Sequence, residues 1–213
     1  MLHLYFFIFI VISYITEFLD EPVKQDDSSP DKVLYELICV ESTLKSLEMH
    51  VSCIEKMVLL ENFREKVIVG SSSVSDKQLR DRVNILSSLD IHCFELSGVL
   101  ERLESLQESF GSSSSNFCQK LTTTFPSNKK ITNFVKSEES YLDILNKTIT
   151  AIKNLERWFR NISQWHLSKQ PSTTQGEALE KTFRKVVADY RRSLNKATKM
   201  SPFIVRIIIE WGR

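Results

Sequence analysis

The residues best suited to chemistry in this chain are its four cysteines (Cys39, Cys53, Cys93 and Cys118) and its four histidines. Metal sites usually announce themselves by short regular spacings, because one turn of backbone must aim two ligands at one ion. No C-x-x-C occurs here. His50 precedes Cys53 by three residues and His92 precedes Cys93 directly, but neither pair shows the accompanying second histidine or carboxylate of a metal motif. No metal and no cofactor is therefore expected. Cys39 and Cys53 fall on one expected helix, about 21 Å apart at ~1.5 Å per residue, too far to bond each other. Bridges from Cys39 or Cys53 to Cys118 stay open. Cys93 occupies an apolar seam, where a thiol acts as a small hydrophobe, and this favours a reduced, cytoplasmic protein.

Other catalytic signatures are missing. There is no G-x-S-x-G, no P-loop and no glycine-rich phosphate cradle. His166 follows Trp165 at an expected helix end and reads as a cap or surface residue. The Glu138–Glu139 pair is no acid/base dyad by default, because Glu138 falls on a seam and is expected to select register or to meet a basic residue. The expectation is a protein that is not an enzyme. Two sequons, Asn146-Lys147-Thr148 and Asn161-Ile162-Ser163, matter only in the secretory pathway. Asn161 adjoins the seam residue Ile162, so a glycan there is expected to crowd packing.

Long helices must position these residues. From Ile131 to Trp165, the residues Ile131, Phe134, Tyr141, Leu145, Ile152, Leu155, Phe159 and Ile162 recur at spacings of three and four or their multiples, the seam of a packed helix. Ile144, Ala151, Trp158 and Trp165 widen that seam into a face suited to a bundle. A first helix is expected over 31–67, with Val33, Leu37, Val40, Leu44, Leu47, Val51, Ile54 and Val58 in register. Its seam then fails at Glu61 and Glu65 while apolar residues shift to Leu59, Leu60 and Phe63. A second helix is expected over 75–110, opened by a Ser75/Gln78 capping box and closed by Gly111 and the Ser112–Ser115 run. The third runs over 131–166. A fourth opens with a Thr174/Glu177 box, runs over 174–200 and is ended by Pro202. Residues 201–213 form an apolar tail, either strand-like or a short docking helix. The fold class is all-α: an elongated antiparallel bundle of about four long helices with coiled-coil-like packing.

Composition agrees with this. Five glycines and five prolines in 213 residues are too few for the turns of an all-β chain. A net charge of +1 gives no general pull toward nucleic acid, and none is expected as a partner. Charge is nevertheless uneven. Glu17–Glu65 holds 12 acidic and 5 basic residues, whereas Glu177–Lys199 holds 7 basic and 3 acidic, so the two segments are expected to lie together or to solvate their own faces. Residues 1–16 form an apolar leader and 17–30 an acidic flexible linker. Leu2–Ile15 is almost continuously apolar but short for a bilayer span, and it lacks the basic flank and cleavage site of a signal peptide. Membrane contact or secretion through residues 2–15 stays open beside a cytoplasmic location.

Asn154–Trp165 (NLERWFRNISQW) resembles the tryptophan-bearing first helix of spectrin-type repeats. That resemblance implies packing as an antiparallel three-helix bundle and a spacer or adaptor role in a cytoskeletal or membrane-associated assembly. No repeat of about one hundred residues and no matching tryptophan on another helix accompanies it. Glu177–Lys199 loosely resembles the third helix of a syntaxin-type regulatory bundle. The functional expectation is a non-catalytic helical scaffold or adaptor acting through helix–helix protein interactions, including homo-oligomers. Alternatives are a secreted four-helix cytokine-type factor and a membrane-trafficking regulatory bundle. With helix one at about 55 Å and helix four at about 40 Å, part of the first seam should outrun its cover. Leu37, Val40, Leu44, Leu59, Leu60 and Phe63 are the resulting interaction candidates.

Overall fold

The computed structural model describes residues 28–59, 76–167 and 173–211. They form four helices and no strand: α1 (Pro30–Leu59), α2 (Asp76–Thr124), α3 (Lys129–Leu167) and α4 (Thr173–Trp211). Helix α1 starts where the sequence offers both a cap and a proline. The Ser29 hydroxyl accepts the Lys32 N–H at 3.2 Å, and Pro30 sits in the first turn, where a missing N–H costs nothing. Asn128 caps α3 likewise, accepting the Lys130 N–H at 2.9 Å.

Cross-helix pairs give the topology. Glu36 meets Ser109 and Ser113 while His50 meets Glu95, so α1 and α2 are antiparallel. Phe117 against Phe134 and Phe110 against Tyr141 make α2 and α3 antiparallel. Trp158 against Phe183, with Lys130 against Glu210, does the same for α3 and α4. Arg191–Glu55 and Ser201–Glu41 close the ring between α4 and α1. The bundle runs up-down-up-down, unlike the up-up-down-down order of cytokine bundles. The Arg191–Glu55 pair also shows part of the acidic first segment lying against the basic last one.

The core contains most of the expected seam residues and extends beyond them through Phe117, Leu121, Ile204 and Ile208. All eight first-helix seam residues from Val33 to Val58 are buried, as are Ile131, Phe134, Tyr141, Leu145, Ile152, Leu155 and Ile162. Trp158 is 2% exposed and donates its indole N–H to the Leu179 carbonyl at 2.7 Å. Phe159 is only partly buried.

Two boundaries differ from expectation. Helix α2 continues through Gly111 and Ser112–Ser115 to Thr124, and the true reversal is the short turn holding Pro126. A β-carbon at Gly111 would meet Leu142 at 3.6 Å, an ordinary contact, so the glycine sits inside the helix facing α3 with room for a methyl and is not a stop. Helix α4 continues past Pro202 to Trp211, making the apolar tail helical. Pro202 is exposed and gives up one backbone bond, while Ile204, Ile207 and Ile208 beyond it stay in the core. Leu59 ends the described part of α1, and the rest of the expected first helix lies outside the described residues. No described helix is long and apolar enough to cross a membrane, and residues 2–15 lie outside the described ones.

Candidate functional site

Leu37, Val40 and Leu44 are 0%, 0% and 3% exposed and belong to the bundle's own core. Helix α4 is 39 residues, about 58 Å rather than the ~40 Å expected, and the described α1 seam from Val33 to Val58 is covered along its whole length. Leu60 and Phe63 lie outside the described residues. Among the described residues the most exposed large apolar side chain is on α2, although Tyr35 and Met49 of α1 are also more than half exposed. Phe94 is 81% exposed, Ile91 60% and Val83 52%, and with Gly98 they fall within about an 80° sector of the helix at ~100° per residue. Nothing lies within 4 Å of where a Gly98 β-carbon would be, so this side of α2 is open. Exposed Asp90, Glu95, Glu101 and Glu108 border the sector around Ile91, Phe94 and Gly98, where Arg102 is the single cation between Asp90 and Glu108, while exposed Arg80 falls within the sector at its Val83 end. Outward residues on this helix are otherwise small or polar, so the aromatic stands out as the group water does not favour.

A polar layer crosses the core. The buried Glu36 carboxylate accepts the Ser109 and Ser113 hydroxyls, and buried Glu138 accepts that of Ser114. Ser201 donates to Glu41, and the buried Tyr141 hydroxyl beside that pair makes no well-formed hydrogen bond of its own. Burial raises Glu138 above the ordinary carboxylate range, opposed in part by the Ser114 bond and assisted by nearby Glu139. Glu138 therefore meets a hydroxyl and not the basic partner its seam position suggested. Two of the four serines read as a loop, Ser113 and Ser114, are donors to these carboxylates, while Ser112 and Ser115 are exposed on the same helix.

The cysteines do not converge. All four are free, and burial pushes the Cys93 and Cys118 thiols up to about 12, with nearby carboxylates adding to the effect. Neither is an activated nucleophile. The open bridges to Cys118 are not formed.

Histidine is where sequence reasoning missed most. His50 of α1 and His92 of α2 do not pair with the cysteines beside them. They face each other, ring centroids 6.4 Å apart at 55°, with the Glu95 carboxylate between them. Glu95 Oε2 lies 3.4 Å from His50 Nδ1 and 3.5 Å from His92 Nδ1. The second histidine comes from the facing helix, and the carboxylate one turn after His92. The H-x-x-E spacing of His92–Glu95 was the available local signal; His50 became its neighbour only through the antiparallel register. Sequon residues Asn146 and Asn161 are both exposed, so the expected crowding at Asn161 does not arise.

Comparison with known proteins returns no match: no family model, no curated protein and no solved structure is similar to this chain.

Proposed function

We propose that this chain is a non-catalytic helical interaction protein, and that its docking surface is the outward face of α2. One observation carries the reading: Phe94, 81% exposed, lies in a single sector with Ile91, Val83 and the bare backbone of Gly98. Contiguous apolar side chains on an otherwise polar helix face are a typical contact site, and a glycine beside them lets a second helix approach closely. The acidic border selects the partner. Asp90, Glu101 and Glu108 on one side and Glu95 on the other favour a partner helix whose apolar ridge is flanked by lysine or arginine. The up-down-up-down order supports this scaffold reading over a cytokine-type factor.

The test is binding of two synthetic amphipathic helices with the same leucine ridge, one flanked by lysine and one by glutamate, read by fluorescence anisotropy at two salt concentrations. The lysine-flanked helix should bind, more weakly as salt rises, and Phe94→Asp should abolish binding without loss of helical signal. Equal binding of both peptides, or an unaffected Phe94→Asp variant, refutes the assignment. A wild-type dimer in sedimentation that Phe94→Asp converts to monomer would name a second copy as the occupant and overturn the basic-partner reading.

A further inference from the structure

We infer that His50, His92 and Glu95 form a binding site for a divalent transition metal of the zinc class. The cluster joins two helices and shares Glu95 with the border of the docking face proposed above, but it rests on separate observations. One ligand atom from each residue falls within 4.8 Å of the other two. In a tetrahedral site with bonds of about 2.0–2.2 Å, ligand atoms stand roughly 3.3–3.6 Å apart. The two measured carboxylate–imidazole separations, 3.4 and 3.5 Å, fall on that edge length. The third edge, between the two imidazoles, is no longer than 4.8 Å.

Hydrogen bonding leaves the same place open. His92 Nδ1 is buried and has no hydrogen-bond partner, and the nearest acceptor, Glu95 Oε2, is too distant for a good bond. A buried polar nitrogen without a partner is rare in a native structure and calls for a reason. A metal ion accepting that lone pair supplies one. The side chains are 15%, 33% and 48% exposed for His50, His92 and Glu95, so the site has an entry path and a fourth position for water. Both helices hold the ligands rigidly: His92 and Glu95 are one turn apart on α2, and His50 is on the facing turn of α1.

Ligand chemistry sets the metal class. Two neutral imidazoles and one carboxylate suit Zn²⁺, Co²⁺, Ni²⁺ or Cu²⁺, and are a poor match to Ca²⁺ or Mg²⁺, which need more oxygen ligands. Cys93, next in sequence to His92, is buried with its thiol pushed up to about 12 and stays outside the set. Cys53 lies one turn beyond His50 and is the rival thiol donor.

The experiment uses the full chain, free of any polyhistidine tag and stripped with chelator. Zn²⁺ titration by calorimetry should give one site with a dissociation constant at or below the micromolar range, together with a raised melting temperature. His50→Ala and His92→Ala should each weaken binding by at least about tenfold, Glu95→Gln measurably less, and Cys53→Ser not at all. Co²⁺ on the wild type should give intense tetrahedral d–d bands without thiolate charge transfer, a readout that needs no variant to fold. Mg²⁺ should not compete. No stoichiometric Zn²⁺ binding, binding retained in His92→Ala, or binding lost in Cys53→Ser would each overturn the site.

Discussion

Removing the Ser114 hydroxyl should cost far more than a serine in a helix ordinarily does. Ser114 is 0% exposed and Glu138 4%, and the Ser114 hydroxyl is the donor that Glu138 receives across the α2–α3 interface. No bulk water reaches the carboxylate once the donor is gone. Hydrogen bonds to charged groups contribute about 1.5–3 kcal/mol, so Ser114→Ala should destabilise by that amount. Ser113→Ala should cost less, about 1 kcal/mol, because Glu36 keeps the Ser109 donor. Replacing both partners with apolar groups removes the need for the bond, so Ser114→Ala with Glu138→Leu should fall within about 1 kcal/mol of wild type. The assay is urea unfolding followed by far-UV circular dichroism and tryptophan fluorescence, whose agreement checks two-state behaviour. Single and double variants make a cycle, and the coupling should reach about 1.5 kcal/mol or more. A cost below about 0.5 kcal/mol for Ser114→Ala, or additive effects in the cycle, would refute the idea that this pair is energetically joined.

Acid provides an independent reading of the same pair. Burial raises Glu138 in the folded state above its value of 4.5 in the unfolded chain. The native form thus holds the proton more firmly, and the resulting stabilisation is full below the unfolded value and is lost as pH rises through the folded one. Glu138→Gln, neutral at every pH, should therefore gain stability over wild type as pH rises from about 4 to about 7, and gain little in acid. A difference independent of pH would sink this account.

Two further outcomes follow from the same structure. Gly111→Ala should stabilise by about 0.5–1 kcal/mol in urea unfolding, because the added methyl meets Leu142 at ordinary contact distance and alanine is the better helix former; destabilisation would mean the helices approach more closely there. In native protein, iodoacetamide should modify Cys39 and Cys53 well before Cys93 and Cys118, which are buried with thiols pushed up to about 12; equal rates for all four would contradict the packing of α2.

What the sequence made legible was burial, because periodicity is a record of burial. The seam of α3 from Ile131 to Ile162 could be read with no partner in view, and Phe159, at its margin, was the one seam residue in that stretch to come out only partly covered. Helix ends were illegible where a distant residue overrode the local signal. Gly111 followed by four serines stops a helix by local rules, yet the run continues the seam of α2, with Phe110, Ser114, Phe117 and Leu121 at spacings of four, three and four. Ser114 is simply the polar member of that seam, as Glu138 is the polar member of the seam on α3. Each anomaly is the explanation of the other. Pro202 misled in the same way, since the apolar residues beyond it demanded that the helix go on.

The histidine cluster was illegible for a deeper reason, and that reason ties the polar layer to the site. Heptad seams match again after a slip of seven residues, so apolar packing alone leaves the register of α1 against α2 degenerate. Glu36 breaks the degeneracy, because only one register sets its buried carboxylate against the hydroxyls of Ser109 and Ser113. A slip of one heptad would strand that charge in the core, a cost of several kcal/mol. The same slip would carry His50 about 10 Å along α1, away from His92 and Glu95. On this argument the serines of α2 are remote positioning residues for the cluster. Glu36→Leu combined with Ser113→Ala should leave a helical bundle but loosen its register, and Zn²⁺ affinity should fall although no ligand has been touched. Unchanged Zn²⁺ binding in that variant would show that the apolar seams alone hold the register.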